Sequence, residues 1–267
     1  FLPGAVPLTR IEGKPDAFLL RANALAEWRP VKQFTLSAAP RAQWASDPLL
    51  AYEEFSGGNF TVGRGFDPGT VIDVGVCYGT PELQRGFPDA YHILFEPVAE
   101  LEDRMKQLTA RYRGEYHMIA LSDRPGTFPL KVPEGAVQGA TLAASAGGKH
   151  VREVPVDTLD AVLGGRDLAG PIILKTDCQG YDLNVLKGGA AFLKRVDLVV
   201  MEVNMFHPAG QADLGDFGAI VAWMRDHGFS VYDIISYHLR PLDQALGYVD
   251  LVFCQTEGPF RAHHKWA

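Results

Sequence analysis

The stretch Val71-Ile72-Asp73-Val74-Gly75-Val76-Cys77-Tyr78-Gly79-Thr80-Pro81 narrows the fold more than any other part of the chain. A short apolar run without polar alternation has the pattern of a strand buried on both faces, as in a parallel sheet. It breaks at once into a turn that needs glycine at two places. Open α/β sheets bind ligands at the carboxyl edge of such strands. The placing of Asp73 bears on which ligand. A loop that cradles pyrophosphate uses closely spaced glycines and backbone N–H groups, because the ligand is an anion. Here the spacing is Gly-x-x-x-Gly, and a carboxylate aimed into the loop would repel phosphate. It would attract a ligand with an ammonium and a sulfonium group, which describes S-adenosylmethionine. The alternative is a tight strand-to-helix turn that holds no ligand.

Two further runs repeat the rhythm. Tyr91 to Phe95 is apolar and ends at Glu96, roughly 20 residues past the glycine loop, where nucleoside-binding folds place a carboxylate for the ribose hydroxyls. Pro97 suits the first turn of the next helix, and Val98, Leu101, Met105, Leu108 and Tyr112 give that helix one apolar stripe. Ile172 to Thr176 ends at Asp177, followed by Gly180 and a helix closed at Gly188 and Gly189, read as a C-terminal cap. Asp197 to Asn204 adds a strand with Glu202 near its end.

With these residues in place the chain resembles the FkbM family of S-adenosylmethionine-dependent methyltransferases. The resemblance rests on VIDVGVCYGT, FEP, ALSDRPG (Ala120 to Gly126), VPVDTLD (Val154 to Asp160), LKTDCQGYDLNVLKGG and VVMEV, in that order, over roughly residues 66 to 254. It implies an O-methyltransferase acting on a hydroxyl of a sugar, glycan or natural product. There are two departures. The family's KxDxEGxE pattern reads Lys175, Asp177, Gln179, Gly180 and Asp182, which touches acceptor handling. Its Gly-Ala-Asn reads Gly75, Val76, Cys77, which alters packing near the methionine end of the cofactor.

The expected architecture is α/β: a Rossmann-like class I methyltransferase fold, with a mostly parallel seven-stranded sheet and helices on both faces. Core strands are predicted near 71–76, 91–96, 115–119, 172–177, 197–203, 229–235 and 248–254, the last two as an antiparallel edge pair. Phe217, Ile220, Val221 and Met224 mark the best-defined helix, ended by Gly228. Residues 1–65 lack this rhythm and read as a helical extension, with helices over about 16–28 and from Asp47-Pro48 onward. Residues 66–267 form the methyltransferase domain. Thr127–Val132 and Val151–Val156 read as extra strands around 134–150, a Gly-, Ala- and Ser-rich segment that is either a lid over the acceptor or a surface connection.

Composition narrows the class. Hydrophobic residues at 47% and charged residues at 21% fit an ordinary folded domain. A net charge of −7, with no Lys/Arg run, argues against a nucleic-acid partner. No apolar run reaches the roughly 18 residues of a membrane span, and Phe1-Leu2-Pro3 lacks a signal peptide's charged start. Cys77, Cys178 and Cys254 are too few and scattered for a disulfide scaffold or zinc cluster, and suit a reducing, cytoplasmic setting. Cys77 and Cys178 are both expected near the cofactor pocket, as apolar fillers or as thiols whose alkylation blocks binding. Oligomeric state is open.

For the cofactor, Asp73, Gly75 and Gly79 should floor the methionine portion, with Thr80 adding a hydroxyl. Glu96 should hold the ribose, and Ser122 and Asp123 should lie near the adenine. Methyl transfer from a sulfonium needs alignment, worth roughly 7–11 kcal/mol, and a base on the hydroxyl, worth about 10²–10⁴-fold. Base candidates are Asp177, Glu202 and His207, with Lys175 and Asp182 as supporting charges. Asp177, Asp182 and Glu202 also offer oxygen ligands for Mg²⁺, although the expected site contains no metal. Two rival readings are a nicotinamide- or nucleotide-sugar-dependent enzyme on a similar sheet, and a cofactor-binding module without turnover.

Overall fold

The structure, a computed structural model, describes residues 9–10, 18–19, 66–142, 150–206 and 215–263. The chain divides into two compact units, residues 1–66 with 81–86, and residues 67–80 with 87–267. In the first, β1 (Thr9–Arg10) pairs antiparallel with β2 (Phe18–Leu19), and α1 spans Pro81–Gly86. Phe18–Leu19 is therefore strand where local spacing predicts helix: pairing with β1 overrides the propensity. The rest of that helix, and the one predicted from Asp47, lie outside the described residues.

In chain order the strands of the second unit are β3 (Thr70–Val74), β4 (Tyr91–Phe95), β5 (Gly114–His117), β6 (Ala120–Leu121), β7 (Gly126–Lys131), β8 (Val151–Asp157), β9 (Ile172–Thr176), β10 (Leu198–Asn204), β11 (Phe229–Leu239) and β12 (Leu246–Gln255). Seven of them form a mixed, mostly parallel sheet in the order β11-β12-β10-β9-β3-β4-β5. Neighbours from β10 to β5 are parallel, and β12 runs antiparallel to both β10 and β11, as the edge-pair reading requires. The chain leaves β3 for β4 and β5 on one side, then crosses to β9 and β10 on the other. The carboxyl ends of β3 and β9 thus flank a switch point, where such sheets open a crevice.

Register decides which side chains share a face. Asp73 lies opposite Leu94 on β4 and Lys175 on β9, so all three point the same way. Leu94 and Val76 on this side pack with Met105 and Leu108 of α2 (Glu102–Arg111). The opposite face, with Ile72, Val74, Ile93, Phe95 and Leu174, meets α3 (Leu159–Leu163), α4 (Asp182–Lys187) and α5 (Phe217–Asp226) in the largest core. Helices therefore cover both faces, each buried aliphatic side chain contributing roughly 1.5–3 kcal/mol. α5 begins where Asp216 accepts from the Ala219 N–H at 2.8 Å and stops before Gly228 at φ +85°.

Gly188 caps α4 as read, in a right-handed conformation at φ −72° with its N–H on the Asn184 carbonyl. A Cβ there would meet the Ser122 carbonyl oxygen at 1.9 Å, so close packing demands the glycine. The sequence reads Ser122 and Asp123 of ALSDRPG as the end of the third core strand, but that strand ends at His117. Ala120–Leu121 instead pairs in parallel with β8, whose other edge takes β7, giving a separate three-stranded sheet. The Ser122 N–H continues that pairing to the Asp157 carbonyl at 2.9 Å. Of the segment 134–150, residues 143–149 lie outside the described residues.

Candidate active site

The glycine loop after β3 is closed from beneath. The Gly75 N–H donates to the Phe95 carbonyl at 3.0 Å. Gly75 has φ +76°, and a Cβ on it would meet the Asp177 carbonyl oxygen at 2.1 Å. The loops after β3 and β9 are in backbone contact, and only glycine allows it. Gly79, at φ +116°, donates its N–H to the Val76 carbonyl at 2.8 Å. Thr80 follows, half-buried. Glu96, 3% exposed, accepts from the Cys77 N–H through Oε2 and the Val98 N–H through Oε1, each at 2.8 Å. Burial pushes the Glu96 carboxyl above its ordinary value while these N–H groups pull it back.

Asp73, 1% exposed, meets a cation from within the chain: Lys175 Nζ lies 3.1 Å from its Oδ1. The same ammonium donates to the Gly75 carbonyl at 3.2 Å and stands 3.8 Å from Asp177 Oδ2. Burial opposes the lysine's charge, but Asp73 and then Asp177 outweigh it and raise Lys175 well above the usual lysine range. Lys175 therefore links the glycine loop to the β9 loop.

Asp177 is the open carboxylate, its side chain 39% exposed. Gln179 Nε2 donates to its Oδ1 at 2.9 Å. Beyond it, Glu202 on β10 stands opposite Asp250 on β12, and Asp250 opposite Ser236 on β11, which donates to it. Burial first, then Asp177, Asp182 and Asp250, push Glu202 up to about 9. Such a shift favours the protonated form of Glu202, which can donate a hydrogen bond. Asp182 is the first residue of α4, 1% exposed, and accepts from the Cys178 N–H at 3.0 Å. Burial and then Asp177 raise it to about 6. Among the described residues no group of three His, Cys, Asp or Glu side chains could hold a metal ion.

Ser122 is fully buried; its hydroxyl donates to Asp123 at 2.9 Å and meets the Tyr181 hydroxyl at 3.1 Å. It knots the small sheet to the turn before α4, whereas Asp123 stays partly open beside Arg124. His207 lies outside the described residues. Cys77 and Cys178 follow the two contacting loops, and burial raises both thiols above their ordinary value.

The Methyltransferase FkbM domain matches residues 73–231, more than half of the 267-residue chain. The chain belongs to the FkbM methyltransferase family. Its match runs from the loop aspartate to the edge strand β11, so it takes in both sides of the crevice. Among solved structures it is similar to a methyltransferase FkbM from Methylobacillus flagellatus, at 16% identity and a TM-score of 0.44, covering 77% of this chain and 50% of that one. It is also similar to magnesium protoporphyrin IX methyltransferase from Synechocystis with bound S-adenosylmethionine, at 12% identity and a TM-score of 0.41, covering 88% and 92%. The chain spans half the length of the Methylobacillus protein. No curated protein matches it.

Three features of this FkbM-family site escape a reading of the sequence: Lys175 as the shared cation, Gln179 as a donor, and the Glu202–Asp250–Ser236 row. The last leaves a trace. A lone acid within Tyr248-Val249-Asp250-Leu251-Val252 mirrors the one in Val199-Val200-Met201-Glu202-Val203. Antiparallel register is what brings the two together.

Proposed function

We propose that the protein is an S-adenosylmethionine-dependent O-methyltransferase whose acceptor is a hydroxyl of a sugar, glycan or natural product. The observation that carries this is Asp177, a half-open carboxylate one strand from the glycine loop and tied to it through Lys175. The residues fit the cofactor. Gly75 and Gly79 give the loop its positive-φ turns, Asp73 lies beneath it paired with Lys175, and each Glu96 oxygen retains a lone pair after accepting one N–H. Asp123, the more exposed residue of the Ser122–Asp123 pair, is the proposed adenine contact. When bound, S-adenosylmethionine supplies an activated methyl group on a sulfonium.

The chain's residues then do two things. Asp177 orients the acceptor hydroxyl and accepts its proton as the oxygen becomes methylated. Neutral Glu202 donates a hydrogen bond on the same side, helping to fix the acceptor. His207 remains a proposed second base. With a net charge of −7 the protein suits a neutral or cationic acceptor better than a polyanion. No helix among the described residues is long and apolar enough to cross a membrane. Three free cysteines support a cytoplasmic location. The test is a panel of sugar, polyol and polyketide hydroxyls incubated with S-adenosylmethionine, read by mass spectrometry. A gain of one methyl on oxygen is expected; methylation at nitrogen or carbon alone would overturn the O-methyl assignment.

A further inference from the structure

We propose that Gln179 is a positioning residue for Asp177: its side-chain amide fixes the carboxylate in the orientation that faces the acceptor. The proposal rests on the reading of Asp177 as the acceptor-facing group. Its first support is the contact. Gln179 Nε2 donates to Asp177 Oδ1 at 2.9 Å, while Lys175 Nζ stands 3.8 Å from Oδ2. The carboxylate is held at both oxygens, so turning it about its own axis breaks both contacts. The amide's orientation is fixed by chemistry, since a carboxylate oxygen only accepts and must face the NH₂.

The backbone gives a second, independent support. Cys178-Gln179-Gly180-Tyr181 closes with the Tyr181 N–H on the Cys178 carbonyl at 3.2 Å, and its central residues have φ +53° and +88°. This mirror-image turn favours Gly, Asn or Asp at both central positions. Glutamine has no local reason to sit there, and an off-preference residue in a site loop points to a task for its side chain. The turn is anchored from the 134–142 connection, where Thr141 Oγ1 donates to the Gln179 carbonyl at 3.3 Å.

Charge explains why an amide serves here. Asp177 acts on Glu202, Asp182 and Asp250, raising all three, and Lys175 is its one ion-pair partner among the described residues. A glutamate at position 179, as in the family pattern, would bring another negative charge within hydrogen-bond distance of Asp177. The amide supplies a donor of nearly the same shape without that charge.

The test uses the full chain, labelled with ¹⁵N. The Gln179 side-chain amide is identified by its loss in Gln179→Met. The expected result is slow solvent exchange of one Gln179 side-chain amide proton in the wild type, lost in Asp177→Ala, which removes the acceptor. An amide that exchanges like an exposed glutamine and ignores Asp177→Ala overturns the proposal. Turnover is followed as S-adenosylhomocysteine release over the same hydroxyl panel. Gln179→Met should lower kcat about tenfold or more with cofactor Kd and acceptor KM within twofold, as expected for lost orientation. Unchanged kcat would reduce Gln179 to a structural role. Wild-type protein that does not bind S-adenosylmethionine would instead defeat the functional reading, and the amide result would stand apart from it.

Discussion

On the β3–β4 side of the crevice each buried acid has a partner: Asp73 has Lys175 and Glu96 has the N–H groups of Cys77 and Val98. On the β9–β12 side, burial and the nearby Asp177 raise Asp182, Glu202 and Asp250, although Asp182 and Asp250 also accept hydrogen bonds from the Cys178 N–H and the Ser236 hydroxyl. In the proposed function the first side holds the cofactor and the second handles the acceptor's proton. A methyl-transfer site needs both, because alignment and proton removal are separate demands.

If the division is real, substitutions on each side should separate in what they damage. The largest effect is expected from Asp177→Asn: kcat/KM should fall about 10²–10⁴-fold, the range of a lost general base, with cofactor Kd unchanged. Calorimetry beside steady-state kinetics checks it, and a parallel loss of cofactor binding would break the comparison. Next comes Glu96→Ala, which frees two N–H groups and removes the proposed ribose contact. Cofactor affinity should weaken by about 1.5–3 kcal/mol while kcat at saturating cofactor changes little. Gly75→Ala should cost stability by about 1–3 kcal/mol, because φ +76° and the Asp177 carbonyl both oppose a Cβ. Thermal melting reads that loss.

A smaller effect sharpens the second side through pH. Glu202 binds its proton more tightly in the folded chain, so its contribution is complete below about 4.5 and is lost as pH rises toward about 9. Asp182 acts in the same sense between 3.8 and about 6. Melting temperatures of wild type should therefore decline between pH 5 and 9 more steeply than those of Glu202→Gln, which carries no proton to lose. Equal slopes would show that Glu202 is solvated and charged. Alkylation of Cys77 and Cys178 should be slow on the native protein, since burial raises both thiols.

Much of the fold was readable because its signals are local. Apolar runs ending in Asp73, Glu96 and Asp177 place three neighbouring strands, and the spacing of Phe217, Ile220, Val221 and Met224 places α5. What was not readable depends on pairing. Ala120–Leu121 joins β8 only because β8 has a free edge. Gly188 is required by the Ser122 carbonyl 66 residues earlier in the chain, as 188 − 122 shows. The site divides in the same way. Its loop glycines and acids could be picked out singly, but Lys175 between Asp73 and Asp177, and Asp250 opposite Glu202, emerge only from register. His207, the rest of the helix predicted over 16–28 beyond Phe18–Leu19, and the helix predicted from Asp47 lie outside the described residues.

The most direct test of the central claim is calorimetric titration of the protein with S-adenosylmethionine, with NAD⁺ as the parallel ligand. Saturable binding of S-adenosylmethionine, weakened by Glu96→Ala but not by Asp177→Asn, and no binding of NAD⁺, is the predicted result. Binding of NAD⁺ in its place would contradict the reading of Asp73 and, with it, the assignment of the two sides.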